Sequence, residues 1–188
     1  MKLVVFAKAA RMGQAKTRLA AGVGPVHAQR LYRAMTARVL RNVTDPRWHT
    51  VVAVTPDGAT DAAWQGLPKV GQGRGGLTQR LVRAMEATGS VCVIGTDCPE
   101  VEATDIADAF RALQQADLVL GPADDGGFWL IAARGPVRPE LFADVRWSTE
   151  HALADVAQNA KGQVAYLRTL TDVDDVEALR AVRGRVRI

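Results

Sequence analysis

Short apolar runs that do not alternate with polar residues recur along the chain, each separated from the next by a stretch of helical periodicity. Leu3 to Ala7, Val51 to Thr55, Val91 to Gly95, Leu118 to Leu120 and Phe128 to Ala132 are such runs. They read as strands of a sheet covered on both faces. Between them, Ala28, Leu31, Met35 and Val39 form one stripe, with Arg30, Arg33 and Arg41 on the opposite side. Ile106, Ala109, Phe110 and Leu113 repeat the helical spacing. Leu77 to Ala87, Thr149 to Asn159 and Val176 to Val182 are expected as further helices. Strands alternating with helices imply right-handed crossovers and a mostly parallel central sheet, hence a three-layer α/β/α fold. In such sheets ligands bind beyond the carboxyl ends of the strands, so the chemistry is sought there.

No composition shift, repeat or low-complexity stretch divides the 188 residues, and residues 1–188 are expected to form one domain. The formal charge of +4 is too small an excess to mark a nucleic-acid binder. Five of the 24 basic residues are Lys and nineteen are Arg, which suits a pocket for phosphorylated small molecules. The apolar run after Met1 is too short for a signal peptide or a membrane span, so the expected protein is soluble and cytoplasmic. Cys92 lies inside an apolar run and reads as a buried thiol. With Cys98 as the only other cysteine, no zinc site of usual spacing can form.

Four constellations fall after strands. The first, F-A-K-A-A-R-M-G-Q-A-K-T-R-L at 6 to 19, gathers Lys8, Arg11, Lys16 and Arg18 around Gly13 directly after the first strand. Such a loop can wrap a diphosphate or triphosphate, with Gly13 letting backbone N–H groups approach the anion. It lacks the spacing of a P-loop, and a solvated basic loop is the plain alternative. The second, I-G-T-D-C-P at 94 to 99, aims Asp97 into the ligand crevice, where Mg²⁺ or Mn²⁺ takes carboxylates plus substrate phosphates. Its alternative, a helix cap, puts Asp97 early, because the next helix is expected near Ala103 or Thr104.

The third, G-P-A-D-D-G-G-F-W-L at 121 to 130, carries Asp124, Asp125, Gly126 and Gly127 and is equally a good hairpin turn. The fourth, L-T-D-V-D-D-V-E-A-L at 170 to 179, precedes a helix. Asp174 or Asp175 serves as N-cap by default, leaving Asp172 as the surplus acid and a second metal ligand. A further run, G-Q-G-R-G-G at 71 to 76, matches the dinucleotide pattern G-x-G-x-x-G with Asp97 some way beyond it. The preceding W-Q-G-L-P-K-V makes a poor strand, so the run is expected as a flexible loop before a helix near Leu77.

Taken in order, A-K-A-x-R-x-G-x-x-K-T-R-L, G-T-D-C-P, G-P-x-x-D-G-G-F-x-L, W-S-T at 147 to 149 and D-V-D resemble a bacterial family of GT-A-like nucleotide-diphospho-sugar transferases. Its members are often labelled glycosyltransferases, one branch being associated with arsenosugar biosynthesis. The molybdenum-cofactor and phospholactate guanylyltransferases are more distantly similar. The resemblance runs from Lys2 to about Leu179. It implies that Lys8, Arg11, Lys16 and Arg18 contact nucleotide phosphates and that Asp97 holds the metal. It places Asp124, Asp125, Gly126, Gly127, Trp147, Ser148 and Thr149 on the acceptor side. Ala10 and Met12 stand where the family carries prolines. Asp175 and Ala178 depart from the closing D-x-D-T-x-E-D-L pattern, which bears on the metal role of Asp172.

Two reactions fit such a site. In glycosyl transfer, which the family label favours, an acceptor hydroxyl attacks a nucleotide sugar, with Asp97, Lys16 and Asp125 as the catalytic set and Asp125 as base. In nucleotidyl transfer, which the short chain favours, a phosphorylated acceptor attacks a nucleoside triphosphate. An NAD-dependent oxidoreductase built on the glycine run and a non-catalytic nucleotide-binding module are the other classes. The expected partners are a nucleotide or nucleotide-sugar donor and a small-molecule acceptor. The oligomeric state is open, a homodimer included.

Overall fold

The computed structural model describes residues 1–10, 16–64 and 66–186. Among the described residues, seven strands form one sheet: β1 (Lys2–Lys8), β2 (His49–Thr55), β3 (Lys69–Gly71), β4 (Ser90–Ile94), β5 (Leu118–Pro122), β6 (Phe128–Arg134) and β7 (Val164–Tyr166). Six helices accompany them: α1 (Thr17–Val23), α2 (Pro25–Val43), α3 (Leu77–Ala84), α4 (Ala103–Ala112), α5 (Ala152–Asn159) and α6 (Val176–Arg183). The strand order is β3-β2-β1-β4-β6-β5-β7. All pairings are parallel except those of β6, which runs antiparallel to both β4 and β5. The fold is thus the three-layer α/β architecture expected, with one reversed strand.

Strand residues alternate between two cores because a strand's side chains point to opposite faces in turn. Leu3, Val5, Val52, Cys92, Ile94 and Leu130 face one way, against Val39 and Leu40 of α2 and Ile106 and Phe110 of α4. Val4, Ala53, Val91, Val93, Leu120 and Ile131 face the other, against Leu81 of α3 and Val156 of α5. Both faces are covered, which is why none of these strands shows polar alternation in sequence. A third core joins Leu19 of α1, Leu31 and Met35 of α2, Leu179 and Val182 of α6, and Val173. It draws the end of the chain back over the start.

The expected helices exist with shifted ends: α3 stops at Ala84, α5 begins at Ala152 and not at Thr149, and α6 reaches Arg183. Arg30, Arg33 and Arg41 are exposed opposite the buried stripe of α2. The segment ahead of the glycine run corrects the sequence reading. Lys69–Gly71 is a strand, and Pro68 sits just before it, where a missing N–H costs nothing. Being three residues long and fully exposed at the sheet edge, it lacks the apolar signal by which strands are recognised. Among the described residues, no helix is long and apolar enough to cross a membrane.

Candidate functional site

The carboxyl ends of β1, β4 and β5 open on one side of the sheet, and each delivers a polar residue there. Lys8 ends β1. Its backbone N–H donates to the Tyr32 hydroxyl at 3.0 Å, and Thr96 Oγ1 lies 3.3 Å from the same hydroxyl. Thr96 is thereby buried, and the next residue, Asp97, turns outward into the crevice. Asp97 does not cap α4: Glu102 occupies that position, its N–H bonded to Asp105.

The D-V-D segment reaches the crevice for a packing reason. Val173 is wholly buried in the third core, and its N–H donates to the Asp97 carbonyl at 3.0 Å. The Asp174 N–H donates to the Asp172 carbonyl at 3.0 Å, closing a tight turn around the buried Val173, and Asp172 and Asp174 both approach Asp97. One carboxylate oxygen from each of Asp97, Asp172 and Asp174 lies within 4.8 Å of the others. Asp175, not Asp174, caps α6, accepting from the Ala178 N–H at 2.9 Å. Asp174 is therefore a site residue that the sequence reading left to a capping role. Its signal was present in the run of three acids, of which a helix can use only one as N-cap.

Lys16 fills the centre of the triad. Its Nζ lies 2.7 Å from Asp97, 3.3 Å from Asp172 and 2.5 Å from Asp174, and its side chain is only 6% exposed. The residue sits in the left-handed region (φ 52°) at the start of α1, and Leu19, one turn on, is anchored in the third core. Burial alone would lower the Lys16 pKa, but the three carboxylates outweigh it and hold the ammonium well above its usual range. Burial pushes the Asp172 carboxyl up to about 7. Lys16 opposes this, while Asp97 and Asp174 reinforce it. The cluster holds more negative charge than one ammonium neutralises.

Two adjoining hollows make up the crevice. An open basin of about 710 Å³ is lined by Lys8, Lys16, Arg18, Asp97, Asp172 and Asp174. A narrower cavity of about 180 Å³ continues from it past Asp97, Asp125, Gly127, Trp147, Ser148 and Thr149. The D-D-G-G run is indeed a tight turn, joining antiparallel β5 and β6, and it also forms the crevice rim. The Gly127 N–H donates to Asp125 Oδ1 at 2.8 Å and fixes that carboxylate. Gly126 (φ 83°) lies so close to the Glu150 backbone that a Cβ would meet it at 2.2 Å. It packs the turn against the W-S-T segment and does not line either hollow. Asp124 is likewise behind the rim, its Oδ1 3.4 Å from the Asp172 N–H. Neither of these two residues lines the hollows. Trp147 donates to Thr78 Oγ1 at 3.0 Å and packs against Phe128 and Phe142.

Of the basic loop, Lys8, Lys16 and Arg18 border the basin. Arg18 does so from the first turn of α1 and not from a loop. Arg11 and Gly13 lie outside the described residues. The G-Q-G-R-G-G run does follow a strand and open a helix, contrary to the expected context, but protein groups occupy the space its glycines leave. A Cβ on Gly73 would meet the Arg83 guanidinium at 2.6 Å, and Gln72 is buried, donating to the Ala53 carbonyl at 2.9 Å. Burial pushes both the Cys92 and Cys98 thiols up, in keeping with unreactive buried cysteines.

The model of a family described as "uncharacterized protein conserved in bacteria (DUF2064)" matches residues 36–149. No curated protein matches the chain. Among solved structures, a candidate nucleotide-diphospho-sugar transferase from Desulfovibrio desulfuricans is similar with a TM-score of 0.87 and 28% identity. The match covers 98% of this chain and 86% of that one. The Mycobacterium tuberculosis protein Rv0371c, in complex with manganese, shares the fold with a TM-score of 0.53 and 17% identity over 98% of each chain. A CMP:2-keto-3-deoxy-manno-octonic acid synthetase complexed with CTP shares it with a TM-score of 0.56 and 13% identity, over 97% of this chain and 96% of that one.

Proposed function

The chain belongs to the DUF2064 family, and from that premise we propose that it is a metal-dependent GT-A-type glycosyltransferase using a nucleotide-sugar donor, working as a single cytoplasmic domain. The observation that carries this reading is the convergence of Asp97, Asp172 and Asp174 beside Lys8, Lys16 and Arg18 at the carboxyl edge of the sheet. Three hard oxygen donors fit Mg²⁺ or Mn²⁺, which take one or more carboxylates and complete their shells with water and phosphate. The ammonium of Lys16, seated among all three, marks the cluster as a cation position. The manganese complex of one structural neighbour is in keeping with it.

When bound by this triad, the metal ion would neutralise charge gathering on the departing diphosphate. Lys16 pairs with all three carboxylates and offsets part of their charge. With that role taken over, its ammonium is free to turn to the diphosphate, together with Lys8, Arg11 and Arg18. Asp125, fixed by the Gly127 N–H, takes the proton of the acceptor hydroxyl as that oxygen attacks the anomeric carbon. The bond from that carbon to the diphosphate oxygen breaks, and the oxygen leaves with the electron pair. Gly127, Trp147, Ser148 and Thr149 line the acceptor side.

A second reading, nucleotidyl transfer with loss of pyrophosphate, is favoured by the CTP complex of the synthetase that shares the fold. Products separate the two. Incubation with nucleotide sugars and Mn²⁺ is expected to release nucleoside diphosphate slowly when water replaces the acceptor. Asp125→Asn should then abolish acceptor-dependent turnover while donor binding persists. Pyrophosphate release from a triphosphate, with every nucleotide sugar left intact, overturns the glycosyl reading in favour of the nucleotidyl one.

A further inference from the structure

The crevice is divided by charge. The basin carries Lys8, Lys16 and Arg18, whereas among the described residues no Lys, Arg or His lines the adjoining cavity. Its walls are Leu77, Val101, Phe128, Trp129 and Trp147, with the carboxylates of Asp97, Asp125 and Asp172 along the edge it shares with the basin. Neither indole offers a donor to a ligand. Trp129 Nε1 donates to the Arg168 carbonyl at 3.1 Å, and Trp147 Nε1 donates to Thr78. The Thr149 hydroxyl donates to the Arg146 carbonyl at 2.7 Å. What the cavity presents among its described residues is chiefly ring surface, aliphatic surface and carboxylate, with the Ser148 side chain beside them.

Such a wall selects by desolvation. An anion entering it sheds its hydration and meets no Lys, Arg or His among the described residues in return; a metal held by Asp97 and Asp172 would be engaged by the donor diphosphate, and Asp125 repels the anion as well. A neutral molecule with an apolar face loses little on the same path, and a hydroxyl on its rim-facing side donates to Asp125.

We propose that the acceptor is an uncharged, hydroxyl-bearing molecule that lays an apolar ring face against Trp129 and Trp147, and that it is neither a phosphate ester nor a carboxylate. This rests on the transferase reading above and names its second substrate. The acceptor O–H bond breaks with its proton passing to Asp125, and the acceptor oxygen forms the new bond to the anomeric carbon. The nucleoside diphosphate departs with the electrons of the bond it loses.

The test uses two probes with the same aromatic ring: phenyl β-D-glucopyranoside, neutral with hydroxyls, and phenyl phosphate, a dianion. Binding to the full chain is measured by calorimetry with Mn²⁺ and with GDP, UDP and CDP in turn, so that the basin is filled. The glucoside is expected to bind at least about tenfold more tightly than phenyl phosphate. Trp147→Leu should weaken it by about two- to tenfold, the range for loss of an aromatic contact. Asp125→Asn should narrow the preference by restoring some phenyl phosphate binding. Phenyl phosphate binding as tightly as the glucoside, or saturation by neither probe, overturns the inference. A parallel assay of nucleoside diphosphate release from nucleotide sugars reports on the donor reading alone. Donor breakdown alongside a preference for phenyl phosphate removes only the acceptor class. Glucoside preference without donor breakdown supports the acceptor class and removes the donor reading.

Discussion

Lys16 and Arg168 are both cations gripped by carboxylates, yet the two clusters balance charge differently. Arg168 makes a bidentate pair with Asp105, at 2.6 and 2.8 Å, and also donates to the Glu100 carbonyl at 3.0 Å. Asp105 closes the capping box of α4, and the Glu100 carboxylate pairs with Arg185 at 3.1 Å. Two cations meet two anions, and the arrangement ties the segment after β7 to the start of α4. Among the described residues, the three carboxylates at the crevice share Lys16 as their salt-bridge partner. A balanced cluster is complete as it stands and reads as scaffold. An unbalanced one retains charge that a further cation can answer, and its place at the mouth of the crevice makes that answer useful.

The largest expected effect is on metal binding. Asp97→Asn combined with Asp172→Asn should weaken Mn²⁺ binding by about a hundredfold or more, or roughly 3 kcal/mol, with melting temperature little changed because Lys16 keeps Asp174. Calorimetry with Mn²⁺ measures it, and unchanged affinity would reduce the triad to an ordinary surface cluster. Asp105→Asn combined with Glu100→Gln, in the cluster around Arg168, should leave Mn²⁺ binding untouched.

Next, Lys16→Met leaves three carboxylates crowded together. Removing one partner of a buried pair costs about 3–5 kcal/mol. Asp97 and Asp174 are 41% and 48% exposed, so solvent screening should reduce the loss to about 2 kcal/mol. Urea unfolding is expected to show the deficit without metal and its recovery with Mn²⁺. A deficit that Mn²⁺ does not repair would mean that Lys16 is structural in the way Arg168 is.

Arg168→Met should be milder, about 1 kcal/mol, since the guanidinium is half exposed while Asp105 keeps its cap bond. Mn²⁺ should not restore it. Rescue by metal would erase the distinction between the two clusters.

The smallest effect belongs to a surface pair, Arg146 half exposed and Asp155 partly covered. The side-chain and backbone bonds from Arg146 hold the Asp155 carboxyl down at about 2. A depressed folded-state pKa gives stability that is present above the ordinary carboxylate range and is lost as pH falls toward 2. Asp155→Ala should therefore differ slightly from the parent at neutral pH, with the difference closing in acid. A difference that persists below pH 2 would show that packing and not charge is responsible.

Much of the site could be read without coordinates. Asp97 stands out because a buried strand running into G-T-D-C-P leaves a carboxylate where α/β sheets bind ligands, and the structure turns it there. Asp172 was legible as an acid beyond the needs of a helix cap. Asp174 was legible only as one of two adjacent acids competing for one cap, and the α6 geometry gives that cap to Asp175. Asp124 and Gly126 looked like acceptor contacts by position in their motif, but the turn places one behind Asp172 and the other under Glu150.

By itself the sequence determined the layered fold, since unalternating strands can be stable only when helices cover both faces, and it determined which strand ends carry charge. Tertiary structure decided what no local pattern encodes. It inserted β6 between β4 and β5, antiparallel to both, where the D-D-G-G turn signal bears only on its pairing with β5, and it admitted β3 as an exposed edge strand paired to β2. It also brought Lys16 against acids 156 and 158 residues away. That meeting depends on Val173 and Leu19 sharing one buried core, and contacts between distant residues are set by how cores pack, not by spacing along the chain.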